Sequence, residues 1–143
     1  MSIFPTKILL ATNGSEEATL ASRTAVDIAR KTDSELHVVY VGEFLPTFLA
    51  ETEVEPAQVE REAQKLLDEQ VRSIESAGET VTDAHLKLGR ADHEIVVLAE
   101  QLGAGLVVVG SRGAGRIRRA LMGSVSDSVV RHAHCPVLVV RKE

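Results

Sequence analysis

The sequence predicts an α/β protein whose mainly parallel sheet is covered by helices on both faces. Short, nearly continuous apolar runs alternate along the chain with segments in which apolar residues recur at helical spacing. Continuous apolar runs are typical of strands buried on both faces, and regular strand–helix alternation is typical of parallel sheets. The chain has 143 residues. A chain of this length predicts one domain, spanning residues 1–143.

The first half of the chain predicts two strands joined by a helix. The first strand is expected at 7–11 (KILLA) and ends before a turn at Asn13 and Gly14. Ser15 is expected to cap the first helix, because its side chain can accept a hydrogen bond from a free backbone N–H group. The apolar face of this helix comprises Ala18, Ala21, Ala25, Ile28 and Ala29. The second strand is expected at 36–41 (LHVVYV), and residues 43–56, with two prolines and four glutamates, predict a loop.

The second half continues the alternation. Helical spacing is clear between residues 63 and 74 and ends at Gly78, and residues 81–88 (VTDAHLKL) predict a third, less buried strand. Asp92 is expected to cap a third helix, which Gly103 ends. The remaining predicted elements are a strand at 106–109, a helix at 124–133 and a strand at 136–140 (PVLVV).

Composition and charge exclude several classes of protein. With 44% hydrophobic and 26% charged residues, the chain does not resemble a disordered one. The net charge of −5 and a pI near 5.6 argue against general nucleic-acid binding. The apolar run at 8–11 is too short for a membrane span or a signal peptide. The single cysteine, Cys135, excludes an internal disulfide framework, so a cytoplasmic location without membrane contact is expected.

A glycine-rich segment after the fourth strand is the strongest functional motif. Gly110 and Gly113 are followed, after nine residues, by Gly123 and a helix start. Glycines allow backbone N–H groups to approach an anion, and a helix N-terminus offers free N–H groups with partial positive charge. Four arginines lie in or beside this segment, Arg112, Arg116, Arg118 and Arg119. The motif therefore predicts a site for a phosphate-bearing ligand.

The spacing G-x-x-G-x9-G-S resembles the nucleotide-binding signature of the universal stress protein family. The segments ILLATNGS, LVVVGSRGAG and GSVSDSVVRHAHCPVLVVR resemble the first strand and turn, the fourth strand and loop, and the closing helix and strand of that family. The resemblance implies a Rossmann-like domain with strand order 3-2-1-4-5, which binds ATP, alone or with magnesium or manganese. It also implies a stress-response protein that forms a homodimer through its last strand, from Pro136 to Val140.

The resemblance also implies which residues bind the nucleotide. Val41 would contact the adenine, and Asn13 stands where many ATP-binding members have aspartate, so it offers hydrogen bonds without negative charge. The complete set of expected binding residues is Thr12, Asn13, Val41, Gly110, Arg112, Gly113, Gly123, Ser124, Val125 and Ser126. No catalytic or metal-ligating residue is predicted.

Three alternatives stay open at this level. Ser124 and Asp127 match a Ser-x-x-Asp capping box, so Ser124 could serve only its own helix. The protein could be an enzyme that hydrolyses ATP slowly or transfers a phosphoryl group, although that chemistry needs a carboxylate to hold the metal and Asn13 is an amide. It could also be a nucleotide-independent stress protein that works through protein contacts. His132, His134 and Cys135 are more simply explained as a helix end and a buried filler than as metal ligands.

Overall fold

A computed structural model describes residues 2–43, 55–111 and 123–141. Strands and helices alternate through these residues as the sequence predicts. In chain order they are β1 (Lys7–Thr12), α1 (Glu16–Thr32), β2 (Glu35–Gly42), α2 (Pro56–Ser76), β3 (Asp83–Leu88), α3 (Ala91–Leu102), β4 (Leu106–Gly110), α4 (Ser124–His132) and β5 (Val137–Val140).

The five strands form one sheet in the order β3-β2-β1-β4-β5, and every neighbouring pair is parallel. This confirms the predicted α/β class and the strand order implied by the family resemblance. The central strand β1 pairs with β2 from Lys7–Glu35 to Thr12–Tyr40 and with β4 from Ile8–Leu106 to Leu10–Val108.

The core has two layers, one on each face of the sheet. The first contains Ile8 and Leu10 of β1 with apolar residues of α1 and α2, and the second contains Leu9 with apolar residues of α3 and α4. Because side chains alternate along a strand, even-numbered positions of β1 face α1 and α2, and odd-numbered positions face α3 and α4. This alternation decides which side of the sheet each predicted site residue occupies.

The starts of three elements differ by two or more residues from those predicted. Helix α2 begins at Pro56 rather than near residue 63. Proline suits the first turn of a helix, and half-buried Val59 extends the apolar face of Ala63 and Leu67 by one turn. Helix α3 has Arg90 at its N-cap, so the prediction that Asp92 caps it is wrong. Asp92 lies inside the first turn of α3 instead. Strand β3 begins at Asp83, two positions after the predicted start at 81.

The cap of the first helix is as predicted. The Ser15 hydroxyl accepts a hydrogen bond of 3.0 Å from the Ala18 N–H group. Within the described part of the chain, no helix is long and apolar enough to cross a bilayer.

Candidate functional site

The strand order reverses direction between β1 and β4, and ligands of open α/β sheets bind at such a point, beyond the carboxyl ends of the strands. Continuing the β1–β2 register by one residue places Asn13 beside Val41 of β2. Continuing the β1–β4 register by three residues, from Leu10–Val108, places Asn13 beside Ser111, which follows β4. Residues 13, 41 and 111 continue the odd-numbered strand positions, which face α3 and α4. The sequence-predicted residues Asn13 and Val41 are therefore brought together.

The start of α4 is tied directly to the end of β4. The carbonyl oxygen of Ser111 accepts hydrogen bonds from the Gly123 N–H group (2.6 Å) and from the Ser126 hydroxyl (2.7 Å). Ser111 and Ser126 are both buried. The first turn of α4 is consequently held at the carboxyl edge of the sheet, next to the reversal point.

This first turn presents free backbone donors. The first hydrogen bond inside α4 runs from the Asp127 N–H group to the Gly123 carbonyl oxygen (3.0 Å). The N–H groups of Ser124, Val125 and Ser126 have no acceptor among the described residues. Such groups, together with the helix dipole, form a surface that binds anions.

The expected capping box of α4 needs correction. The N-cap is Gly123, which has no side-chain cap, so Ser124 and Asp127 do not form the capping box. Asp127 instead forms an ion pair of 3.0 Å with Arg131. The Ser124 side chain is exposed, whereas the Ser126 hydroxyl is used by the Ser111 and Gly123 carbonyl groups. The hydroxyl hydrogen of Ser126 is therefore directed at protein carbonyl oxygens rather than at a ligand.

Gly110 has a structural reason to be glycine. A Cβ atom at this position would lie 2.9 Å from the backbone carbon of Glu17 and 3.1 Å from the backbone nitrogen of Ala18. Gly110 thus permits the first turn of α1 to pack on the end of β4. Sequence spacing does not predict this contact, because the two segments are far apart along the chain.

Thr12 and Asn13 are partly committed to other contacts. The buried Thr12 hydroxyl donates to Oε1 of Gln70 on α2 (3.0 Å), and Gln70 in turn donates to the Ser22 hydroxyl (3.1 Å). Thr12 therefore lies on the side of the sheet away from Asn13. The Oδ1 atom of exposed Asn13 accepts from the Ser15 N–H group (3.0 Å), which shapes the turn into α1.

The remaining predicted residues of the glycine-rich loop lie outside the described residues. These are Arg112, Gly113, Arg116, Arg118 and Arg119.

A polar link between α3 and α4 was not anticipated from the sequence. Asp92 accepts two hydrogen bonds from Arg90 (3.1 and 2.8 Å) and one from the Ser128 hydroxyl of α4 (2.8 Å). These donors, the Arg90 guanidinium first among them, hold the pKa of Asp92 well below its usual range. The link forms one wall of a groove of about 430 Å³ between the two helices. It fixes α4, and with it the free N–H groups of its first turn.

We expect Asp92→Asn to lower the free energy of unfolding by about 2 kcal/mol at neutral pH, since an ionised acceptor shared by two donors is lost. The folded-state pKa of Asp92 is depressed, so its contribution is present above the unfolded value of 3.8 and is lost as pH falls below it. Urea unfolding at pH 7 and pH 3 should therefore show a difference between wild type and variant that shrinks in acid.

Asp127→Asn is the matched control, because its carboxylate pairs with Arg131 in a more exposed setting. We expect this control to cost only about 0.5 kcal/mol. Equal losses of unfolding free energy in the two variants would show that the Asp92 link stabilises the fold no more than an exposed ion pair does.

Comparison with known proteins agrees with this architecture. The sequence pattern of the universal stress protein family matches residues 5–141. A universal stress protein of Methanocaldococcus jannaschii is 34% identical over 141 residues, which cover 95% of this chain and 82% of the relative.

Two solved structures share the fold. A universal stress protein in complex with cAMP superposes with a TM-score of 0.75 at 23% identity, covering 97% of this chain and 99% of the other. The universal stress protein from Archaeoglobus fulgidus in complex with dAMP superposes with a TM-score of 0.70 at 24% identity, covering 97% and 99% of the two chains. The family pattern spans nearly all of the chain, and the chain therefore belongs to the universal stress protein family.

Proposed function

We propose that the protein is a stress-response regulator that binds an adenine nucleotide, ATP in the first instance, where β1 and β4 diverge. The observation that carries this proposal is the first turn of α4. Three of its N–H groups have no acceptor among the residues that the structure describes, and the Ser111 carbonyl holds the turn at the end of β4. A turn of this kind suits a phosphate group.

Two residues near that turn, Asn13 and Val41, suit the sugar and the base of a nucleotide. Asn13 can donate and accept hydrogen bonds to a sugar or a base, and half-buried Val41 offers an apolar contact on the same side of the sheet. Support also comes from two relatives of the same fold, which were solved with cAMP and with dAMP. The glycine-rich loop, with Arg112 and Gly113, would complete the phosphate contacts.

The residues present favour nucleotide binding over phosphoryl transfer. That reaction needs a carboxylate to hold the metal and a group that orients the attacking oxygen. The end of β1 offers the Asn13 amide, which attracts magnesium or manganese more weakly than a carboxylate does. In this proposal the nucleotide acts as a regulatory ligand, and any hydrolysis is slow.

Identification of the ligand tests the proposal directly. The purified protein is denatured, any released small molecule is identified by mass spectrometry, and the emptied protein is titrated calorimetrically with ATP and with AMP. Co-purifying adenine nucleotide, or binding of ATP with a Kd below the millimolar range, is the expected result. Repeated turnover of ATP with magnesium would favour the enzyme alternative. No binding at millimolar ATP would favour a protein that works through protein contacts alone.

We further propose that the protein forms a homodimer through β5. This strand is an edge of the sheet, its four residues are only half-buried, and all of them are valine or leucine. The carbonyl groups of Pro136 and Val140 accept hydrogen bonds from β4. Because backbone groups alternate along a strand, the N–H groups of Val137 and Val139 point away from β4 and are available to a second copy.

We expect Val139→Pro to convert the dimer to a monomer while the monomer stays folded. Proline removes an outward N–H group, and edge strands tolerate proline where that group does not pair internally. Light scattering measures the mass, and circular dichroism measures folding. Val139→Thr keeps the donor and should remain dimeric. A wild-type protein that is monomeric at about 10 µM, where a dimer with a Kd near 1 µM would be mostly associated, would contradict the proposal.

A further inference from the structure

A pair of histidines joins the edge strand β3 to β2, apart from the candidate nucleotide site. His37 lies in the first half of β2, two positions before Val39, which is paired with His85 of β3. Both side chains face the α3 side of the sheet by alternation. The nucleotide site is at the carboxyl ends of the strands, whereas His37 lies opposite Leu9, near the amino end of β1.

The two imidazoles are in direct contact. Nδ1 of His37 lies 3.3 Å from Nε2 of His85, and the rings are stacked with centroids 5.6 Å apart. Nε2 of His37 lies 3.1 Å from Oε1 of Glu35, so this nitrogen carries a proton and donates to the carboxylate. The His37 side chain is only 6% exposed and the His85 side chain 16% exposed.

These contacts fix the protonation pattern. Since Nε2 of His37 donates to Glu35, Nδ1 of the neutral His37 ring is an acceptor, and Nε2 of His85 must be the donor to it. A first extra proton can bind Nδ1 of His85 without breaking the chain of hydrogen bonds. A second extra proton would have to bind Nδ1 of His37. It would then place two N–H donors against each other at 3.3 Å and bring two positive charges together.

The charged neighbours of the pair act in both directions, since acidic groups favour protonation and basic groups oppose it. Glu35 and Asp83 are the acidic neighbours, with an Asp83 oxygen 3.9 Å from Nε2 of His85. Lys87 of β3 acts on His85 in the opposite sense, and Lys7 of β1 lies opposite Glu35 in the strand register. Helix α3 packs on this face with apolar side chains, Ile95, Leu98, Ala99 and Leu102.

We infer that His37 and His85 form a proton-operated latch on the edge strand: the neutral pair holds β3 against β2, a first proton on His85 weakens this pairing by placing a charge at a largely buried site, and a second proton weakens it further by opposing two N–H donors. The step is proton binding alone, with the protons supplied by solvent. Release of β3 would expose the paired edge of β2 to other chains. Acidification would thereby change which surfaces the protein presents.

The sign of the pH effect follows from His85. Burial is the main cause that lowers the pKa of His85 below its ordinary value of 6.5, while Asp83 opposes the shift. A histidine with a depressed folded-state pKa stabilises the fold above the unfolded value, and this contribution is lost as pH falls below it. The opening constant of β3 should therefore rise by up to about tenfold for each pH unit below 6.5, the factor set by uptake of one proton.

Hydrogen exchange of the full chain tests the latch. Amide protection of residues 84–88 is measured from pH 7.5 to 5, corrected for intrinsic exchange and compared with that of β1. In the wild type we expect protection of β3 to fall relative to β1 as pH decreases. In the double variant His37→Gln/His85→Gln, which has hydrogen-bonding amides at both positions and no imidazole at either, we expect a profile that is flat relative to β1. His93→Gln, on the first turn of α3, is the control and should behave as wild type.

A second measurement covers the case in which the double variant does not fold. Imidazole nitrogen resonances of the wild type, followed by NMR against pH, should show two separate protonation steps for the pair. Nε2 of His85 should remain protonated throughout the first step. Two independent single-site titrations would overturn the latch, as would a pH profile of β3 that matches β1 in the wild type or that persists in the double variant His37→Gln/His85→Gln.

Discussion

Replacing Ser124 with proline is expected to weaken ATP binding by about ten- to a hundredfold without unfolding the protein. Ser124 is the first residue of α4, and its N–H group is one of the three free donors of that turn. Proline removes this donor, and loss of one hydrogen bond to a charged group costs about 1.5–3 kcal/mol.

The fold should tolerate this substitution for two reasons. Proline is favoured at the first position of a helix, where no hydrogen bond inside the helix is lost. Its ring requires an extended preceding residue, and Gly123 already has φ −69° and ψ 161°. Because other residues also adopt these angles, the backbone conformation at position 123 does not require glycine.

Ser124→Ala is the matched variant, because it removes the hydroxyl and keeps the N–H group. Calorimetric titration with ATP gives the affinities of both variants, and thermal unfolding checks that both are folded. If Ser124→Pro binds ATP as tightly as Ser124→Ala, the first turn of α4 does not contact the phosphates and the proposed site is misplaced.

Replacing Gly110 with alanine is expected to lower the free energy of unfolding by about 2–3 kcal/mol, the cost of overpacking a tight contact. The added Cβ atom would be 2.9 Å from both the backbone carbon and the Cβ atom of Glu17. Backbone on α1 cannot rotate away as a flexible side chain could, so helix and strand must separate. Urea unfolding of wild type and variant measures the difference.

Gly103→Ala separates this effect from the general cost of losing a glycine. Gly103 has φ +68° and open space around its Cα, so alanine there should cost only the left-handed backbone penalty of about 1 kcal/mol. If Gly110→Ala is no more destabilised than Gly103→Ala, α1 can shift easily and Gly110 is not required by packing. Strong loss of nucleotide binding in a stable Gly110→Ala protein would instead favour a direct role at the ligand.

Much of the fold could be predicted because its signals are local. The apolar runs of β1, β2 and β4 and the helical spacing in α1 each lie within one short window of sequence. Ser15 was identified as a cap because the capping hydroxyl and the N–H group of Ala18 are three residues apart. The apolar spacing from Ala63 onward does not predict the start of α2 at Pro56, because the preceding turns add only Val59 to that face.

Helix caps show where local rules are not sufficient. Both Ser124 and Asp92 have the residue types that favour an N-cap, yet the caps are Gly123 and Arg90. The position of α4 is fixed by two hydrogen bonds to the distant Ser111 carbonyl. The Asp92 carboxylate accepts a hydrogen bond from the Ser128 hydroxyl of α4 instead of capping its own helix. Contacts between elements therefore outweighed propensities of about 1 kcal/mol within them.

The sequence by itself determined the α/β class, the order of the elements along the chain and the glycine–serine signature of the family, because these depend on residue type and short spacing. Tertiary structure alone decided that Thr12 faces Gln70, that Gly110 makes room for α1, and that His37 meets His85. Each of these contacts joins residues 48 or more positions apart. Their geometry is set by strand register and by which face of the sheet each residue occupies, and neither is defined until the whole sheet has assembled.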